Sequence, residues 1–175
     1  TLTALVNALD SRDTETEGHS HRVMSYTLFL AELMGITDSK VLDTLKTGAL
    51  LHDIGKIGIP DAILRKPAKL DNDEWLIMKQ HPVLGYKIIQ GIEKLENAAL
   101  IVLNHQERFN GTGYPNGLKG ENIPLGARIF AVADTVDAMT SDRPYRKALS
   151  FENVADELLK YKGEQFDPVV VDAFF

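Results

Sequence analysis

His52 and Asp53 are consecutive residues at the end of an otherwise apolar segment. An imidazole and a carboxylate in such surroundings destabilise a fold unless they are paired or bound to a metal ion. The small and apolar residues upstream recur at helical spacing: Val41, Leu45 and Gly48. His52 continues this series, which predicts that it lies on the inward face of a helix. The fold must therefore bring partners to this pair from other parts of the chain.

Helical spacing recurs along the chain, and its limits are marked by residues that cap or break helices. The boundary signals are Gly35 and Gly163 at helix ends, Asp71 and Ser150 at helix starts, and Pro82 at a junction. The predicted helices cover 1–10, 19–34, 38–52, 71–81, 83–92, 97–106, 125–140, 150–162 and 168 onwards. Residues 54–70 and 109–117, rich in glycine and proline, are predicted to be ordered loops. Because no alternating strand pattern is found, we expect a single all-α bundle.

The composition restricts the chemistry that the chain can carry. It contains no cysteine, which excludes disulfides, thiolate metal ligands and cysteine nucleophiles. Any metal must then be held by imidazole and carboxylate groups, which favours iron, manganese or zinc. The net charge of −6 argues against a nucleic-acid polymer as partner, because such a binder needs a basic face.

The chain of 175 residues fits one domain, and we expect residues 1–175 to form it. No apolar run reaches the roughly 18 to 20 residues of a membrane span, and the N-terminus does not resemble a signal peptide. We therefore expect a cytoplasmic domain without membrane contact. Because both termini lie inside apolar periodic segments, we expect the domain to be excised from a longer signalling protein.

Titratable residues lie where apolar residues are expected. Four of the five histidines occur at helix ends or on apolar helix faces: His19, His52, His81 and His105. Asp134 lies in helix 125–140, which is apolar nearly all round and therefore predicted to be central. Each of these residues alone is more often structural than a ligand. One shared metal centre that also includes Asp53 explains them together.

The adjacency of His52 and Asp53 bears on the number of ions. On a helix their side chains point about 100° apart, so both cannot easily face one mononuclear ion. A carboxylate can bridge two ions while the neighbouring imidazole binds one of them, which favours a cluster of metals. Glu15 and His19 are four residues apart and would share a face if that turn is helical.

Several residues have a structural alternative. The segment 111–115, Gly-Thr-Gly-Tyr-Pro, is typical of a tight turn when taken alone. Lys56 alone is typical of a solvated lysine, although its place four residues after His52 favours the metal-facing side. Arg143 and Arg146 could instead bind carbonyl groups at the end of helix 125–140.

Three further residues are predicted to support the site or the fold. Asp137, one turn after Asp134, is interpreted as a hydrogen-bond partner of a ligand or of a loop. Glu107 is a candidate for orienting a metal ligand. Trp75 is interpreted as a packing or interface residue.

The ordered series of motifs resembles the HD-GYP family, a branch of the HD superfamily of metal-dependent phosphohydrolases. The resemblance is carried by Gly18-His19-Ser20, Leu51 to Lys56, His81-Pro82, His105 to Pro115, Ala133-Asp134 to Asp137-Ala138, and Asp142-Arg143-Pro144-Tyr145-Arg146. A bare His-Asp dipeptide is a weak signal, but this series spans nearly the whole chain. The resemblance implies an all-α HD-domain bundle with an ordered Gly-Tyr-Pro loop.

The resemblance also implies a hydrolase that cleaves cyclic di-GMP to linear pGpG, and onward to GMP, with two or three divalent ions, usually iron or manganese. The residues matching metal ligands are His52, Asp53, His81, His105 and Asp134. Glu15 and His19 match a pair that goes with a third metal. The residues matching substrate-binding positions are Lys56, Tyr114, Arg143 and Arg146, and the catalytic residues are predicted to be Asp53 and Lys56.

Gln106 departs from the family, which commonly has a second histidine at this position. An amide oxygen is a poorer ligand than imidazole, so this metal position is weakened. Two alternatives to a cyclic di-GMP phosphodiesterase follow. One is a catalytically weak or inactive sensor or interaction domain that binds this nucleotide or a signalling protein through the Gly-Tyr-Pro loop, and the other is an HD phosphohydrolase with another nucleotide substrate. The candidates for protein partners are a GGDEF or other signalling domain and a second copy of the chain.

Overall fold

The computed structural model describes residues 6, 9, 12, 18–142 and 146–175. The helices are α1 (His19–Leu33), α2 (Ser39–Leu51), α3 (Asp61–Leu64), α4 (Asn72–Met78), α5 (His81–Ile89), α6 (Glu96–Asn104), α7 (Leu125–Thr140), α8 (Phe151–Lys160) and α9 (Pro168–Phe174). Short 3₁₀ turns occupy Ile54–Gly58, Glu93–Leu95 and Gly120–Asn122. Within these described ranges no β-strand forms, which confirms the all-α prediction. None of the described helices is long and apolar enough to cross a lipid bilayer.

Helix α7 lies at the centre of the fold, where it packs against α1, α2, α6, α8 and α9. It contributes more buried residues to the larger core cluster than any other described helix: Ile129, Phe130, Val132, Ala133 and Val136. A helix surrounded on all sides needs apolar residues on all sides, which is why the amphipathic pattern is absent from this segment. Each of these buried side chains stabilises the fold by roughly 1.5 to 3 kcal/mol relative to exposure, and the smaller alanine by less.

The predicted capping signals act as expected. The Asp71 carboxylate accepts from the Glu74 backbone N–H while the Glu74 side chain accepts from the Asp71 backbone N–H. The Ser150 hydroxyl likewise accepts from the backbone of Asn153. Gly35 follows α1 in the left-handed conformation, with φ of 77°, which glycine adopts without steric cost.

Some helix limits differ from the prediction. Helix α7 agrees with it, whereas α6 ends at Asn104, so His105 and Gln106 lie just beyond a helix rather than inside one. Of the helix predicted over 1–10, Val6 and Leu9 are described and helical, and the other positions lie outside the described residues.

The segment 54–70, predicted to be an irregular loop, contains the 3₁₀ turn Ile54–Gly58 and helix α3. Its backbone packs directly onto α5, because a Cβ atom at Gly55 would lie 1.8 Å from the His81 carbonyl oxygen. Arg12 also holds the same segment through its side chain. Its guanidinium donates to the carbonyl oxygens of Lys56 (3.1 Å), Ile57 (3.0 Å) and Ile59 (2.8 Å). The backbone next to Asp53 is thus fixed by its contacts with α5 and with the Arg12 side chain.

Candidate metal centre

His52 and Asp53 converge on one point. Helix α2 ends at Leu51, and Asp53 has left the helical conformation with φ of −97° and ψ of 7°. His52 Nε2 lies 3.0 Å from Asp53 Oδ2 as a result. The expectation that these two side chains cannot easily face one ion is wrong, because the helix ends before Asp53 and both belong to one group of potential ligands.

The two carboxylate oxygens of Asp53 face different sets of residues. Oδ2 lies 3.0 Å from His52 Nε2 and 2.8 Å from Lys56 Nζ. Oδ1 lies 3.4 Å from His81 Nε2 and 3.8 Å from His105 Nε2. This is the arrangement of a carboxylate that can bridge two ions.

Four imidazoles direct Nε2 towards this carboxylate or its neighbour Asp134. Three of them bond to a backbone carbonyl through Nδ1: His52 to Ala49, His81 to Met78 and His105 to Val102. A carbonyl oxygen can only accept, so Nδ1 carries the hydrogen in each case, and Nε2 carries a lone pair whenever the ring is neutral. The fourth, His19, places Nδ1 2.7 Å from the Asp137 carboxylate.

The donor set fits a divalent metal on electronic grounds. His81 Nε2 and His105 Nε2 lie 3.1 Å apart. Burial lowers the pKa of the His81 imidazole and lowers that of His105 well below its usual value, so both rings are neutral. Two nitrogen lone pairs then face each other, which is unfavourable unless a cation lies beside both.

The charges around Asp53 also favour the binding of a metal cation. Burial disfavours ionisation of Asp53, but the charges of His52 and Lys56 outweigh it and hold the carboxyl pKa well below its usual value. Burial likewise opposes protonation of His52, and Asp53 outweighs it, so that the pKa of His52 rises to about 9. In the protein without metal, His52 is therefore protonated at Nε2. A metal cation can take the place of that proton.

In the part of the chain that the structure describes, two groups of three residues could each hold an ion, with ligand atoms within 4.8 Å of one another. One group is His19, His52 and Asp53, and the other is Asp53, His81 and His105. Asp53 belongs to both. Asp134 Oδ1 lies 3.5 Å from His19 Nε2, at the edge of the first group.

The remaining predicted residues are placed as follows. Lys56 is buried against Asp53, and Gln106 and Tyr114 line an adjacent cavity of about 350 Å³ together with His105 and Asp134.

Arg146 donates from its guanidinium to the Ala138 carbonyl oxygen at 2.5 Å, which matches the structural alternative for this residue. Glu15 and Arg143 lie outside the described residues.

Tyr114 reaches the cavity from the Gly-Tyr-Pro loop as a neutral phenol. Burial and the Asp53 carboxylate raise the pKa of its hydroxyl to about 12. The hydroxyl keeps its proton over the physiological pH range and can donate a hydrogen bond to a ligand. The loop carries a cis peptide bond between Tyr114 and Pro115.

Glu107 and Asp137 support the site in ways that the sequence indicates only in part. The Glu107 carboxylate is buried and accepts from the backbone N–H groups of Asn116 (2.8 Å) and Leu118 (3.0 Å). It therefore holds the Gly-Tyr-Pro loop, whereas orientation of a ligand was expected. Asp137 is fully buried and bonds both His19 and Arg22 Nε, the latter at 2.6 Å, so it orients His19 as a hydrogen-bond partner.

Comparison with known proteins assigns the family. The model of the HD domain family matches residues 3–170. The cyclic di-GMP phosphodiesterase response regulator RpfG of Xanthomonas campestris is 43% identical over 99% of this chain and 46% of its own length. A cyclic di-GMP phosphodiesterase of Thermotoga maritima is 44% identical over 93% of this chain and 45% of its own. The chain spans less than half the length of these relatives.

Solved structures share the fold. A cyclic GMP-AMP specific phosphodiesterase of Vibrio cholerae superposes with a TM-score of 0.78 at 21% identity, over 98% of this chain and 46% of that chain. Bd1817, an HDG"Y"P protein of Bdellovibrio bacteriovorus, superposes with a TM-score of 0.69 at 24% identity, over 89% of this chain and 49% of that chain. With the family match and the Gly-Tyr-Pro motif, these findings confirm the resemblance in the sequence. The chain belongs to the HD domain family.

Proposed function

We propose that this domain is a metal-dependent phosphodiesterase that hydrolyses cyclic di-GMP to linear pGpG and onward to GMP. The observation that carries the proposal is the position of Asp53, which is shared by two groups of three potential ligands. Relatives named cyclic di-GMP phosphodiesterases, similar over almost the whole chain, support this choice of substrate. Relatives named 3'3'-cGAMP-specific phosphodiesterases make a mixed purine dinucleotide the nearest competitor.

The proposed ligands are His19, His52, Asp53, His81, His105 and Asp134, with Glu15 joining His19 at a third position and Gln106 beside His105. Nitrogen and oxygen donors without thiolate suit iron or manganese, the ions we propose. A pair of divalent ions in such a site supplies a water of lowered pKa and stabilises charge on phosphoryl oxygens.

The protein groups position the substrate and balance its charge. Lys56 has its ammonium 2.8 Å from Asp53 and buried, so a phosphodiester that approaches Asp53 also meets this cation. The Tyr114 hydroxyl donates a hydrogen bond from the opposite loop. Arg146 uses one bond for Ala138, and a guanidinium has five N–H donors, which leaves donors for a phosphate. Arg143 is proposed as its partner in this role.

A second function is favoured by one residue. Gln106 lines the cavity beside His105 where an imidazole is expected, and a weaker ligand there lowers metal occupancy. A domain with incomplete metal loading would bind cyclic di-GMP without turnover and act as a sensor. Its partners would be a GGDEF or other signalling domain, or a second copy of the chain.

The experiment that separates the two is turnover by protein purified without oxygen and loaded with iron or manganese. The substrates are cyclic di-GMP and 3'3'-cGAMP, with products identified by chromatography. We expect pGpG followed by GMP from cyclic di-GMP, and no product with Asp53→Ala. Binding of cyclic di-GMP without product under both metals would contradict the phosphodiesterase and support the sensor.

A further inference from the structure

Trp75 is exposed on helix α4, whose only contact with a hydrophobic core cluster among the described residues is made by the partly buried Met78. All residues of α4 are described and none of them is buried. Trp75 is 45% exposed. A large aromatic side chain left in water loses the stabilisation that burial would provide, so its position calls for a different explanation. The packing role expected from the sequence does not account for it.

Trp75 faces the cavity of the metal centre. It lines the same cavity as His105, Asp134 and Tyr114. The Lys79 ammonium lies 5.8 Å from the centroid of the Trp75 ring and 5.4 Å from that of Tyr114. Two aromatic rings and one cation thus converge at the wall of a cavity that also holds potential metal ligands.

The position of Trp75 is fixed relative to the centre. The start of α4 is held by the capping box of Asp71 and Glu74, and Lys66 bonds Glu74 at 2.5 Å. At the other end, the carbonyl of Met78 accepts from His81 Nδ1 at 2.8 Å. A ring on this helix therefore keeps its place with respect to His81, a proposed ligand.

We propose that Trp75 contacts the substrate by stacking on one purine base of the cyclic dinucleotide, and that Lys79 binds an oxygen of the same nucleotide. The inference rests on the proposed function, since it assumes that the phosphodiester lies at Asp53. Aromatic side chains stack on any base, because every base presents a π-face. The Lys79 side chain is flexible, so its ammonium can leave the ring face to a base and bind a phosphate or carbonyl oxygen.

Fluorescence tests the contact without turnover. Trp75 is the single tryptophan in the sequence, so tryptophan emission reports this residue alone. We expect a phosphorothioate analogue of cyclic di-GMP, which resists hydrolysis, to quench this emission in parallel with binding measured by calorimetry. In the control Trp75→Phe/Leu76→Trp, the tryptophan moves to a neighbour that does not line the cavity, and we expect no quenching. Binding without quenching in the parent, or equal quenching in the control, would overturn the proposal.

Kinetics provide the second readout. Removal of a stacked aromatic residue weakens base binding about 5- to 160-fold. We expect Trp75→Ala to raise KM by this factor with little change in kcat, because the ring does not touch the reacting phosphorus. Trp75→Phe should restore most of the affinity, and Leu76→Ala should behave as the parent.

The two proposals can fail separately. Turnover with unchanged KM in Trp75→Ala overturns the stacking contact and leaves the phosphodiesterase intact. Quenching by the analogue without any turnover of cyclic di-GMP contradicts the phosphodiesterase and supports the contact. Absence of cyclic di-GMP turnover together with absence of analogue binding by calorimetry overturns both.

Discussion

His81 and His105 hold their Nε2 atoms 3.1 Å apart while each bonds a backbone carbonyl through Nδ1. The backbone thereby fixes both rings in the orientation in which their lone pairs meet. A cation beside both nitrogens removes the repulsion, so metal binding and folding are coupled at this point.

The first prediction concerns this coupling. Manganese at about a hundred times its dissociation constant should raise the free energy of unfolding of chelator-treated protein by about 2.7 kcal/mol for each independent site. In His105→Ala, the metal-induced gain in free energy of unfolding should be smaller by the contribution of one site. Thermal melts over a range of metal concentrations measure both. Equal metal-induced increases in melting temperature in the parent and in His105→Ala would contradict metal binding between His81 and His105.

Gln106→His is expected to strengthen metal binding. The imidazole would stand beside His105 at the cavity and provide a nitrogen donor in place of an amide. We expect a dissociation constant lower by about tenfold or more, measured by competition with a chelator. Gln165→His is the matched control, because Gln165 lines the same cavity but is bonded to Arg108. A similar gain in both variants would show that any added histidine suffices.

Glu107→Gln is expected to loosen the Gly-Tyr-Pro loop. Both carboxylate oxygens accept backbone N–H groups, and an amide nitrogen at one of these positions would face a donor. The loss should be about 1 to 3 kcal/mol in chemical denaturation, with a higher KM and unchanged metal content. Glu121→Gln, at an exposed position of the following 3₁₀ turn, should change neither the stability nor KM. Metal loss in Glu107→Gln would instead assign Glu107 to the metal centre.

Gly55→Ala and Gly58→Ala test the contact that positions Asp53. A Cβ atom at Gly55 would lie 1.8 Å from the His81 carbonyl oxygen, and at Gly58 it would lie 3.0 Å from the flexible Leu84 side chain. We expect Gly55→Ala to cost about 3 kcal/mol or more and to lower metal content, because His81 must move. Gly58→Ala should cost less than about 1 kcal/mol. Comparable denaturation midpoints for the two variants would argue against the close approach.

The extent of prediction from sequence differs between residues for physical reasons. The limits of α7 follow from local pattern, since an apolar run between Pro124 and Ser141 leaves few alternatives. The grouping of histidines around Asp53 could be inferred because polar residues on apolar faces need partners. The convergence of His52 and Asp53 could not, because the end of α2 is followed by a turn fixed by Gly55 and Arg12, contacts with distant segments.

Trp75 and Glu107 illustrate the same limit. The sequence pattern around an exposed tryptophan can be the same as that around a buried one. Only the position of α4 beside the cavity shows that Trp75 lines the cavity. Glu107 follows two potential ligands in sequence, which suggested a role at the metal. Its partners are loop N–H groups nine and eleven residues later, which local spacing does not indicate.

The central claim is that Asp53 joins two metal positions, and elemental analysis of protein purified without oxygen tests it most directly. We expect at least two ions per chain in the parent, loss of about one ion in His19→Ala or in His105→Ala, and loss of both in Asp53→Ala. Circular dichroism confirms that each variant remains helical. A parent that hydrolyses cyclic di-GMP with one ion per chain, or an Asp53→Ala variant that keeps its full metal content, would contradict the claim.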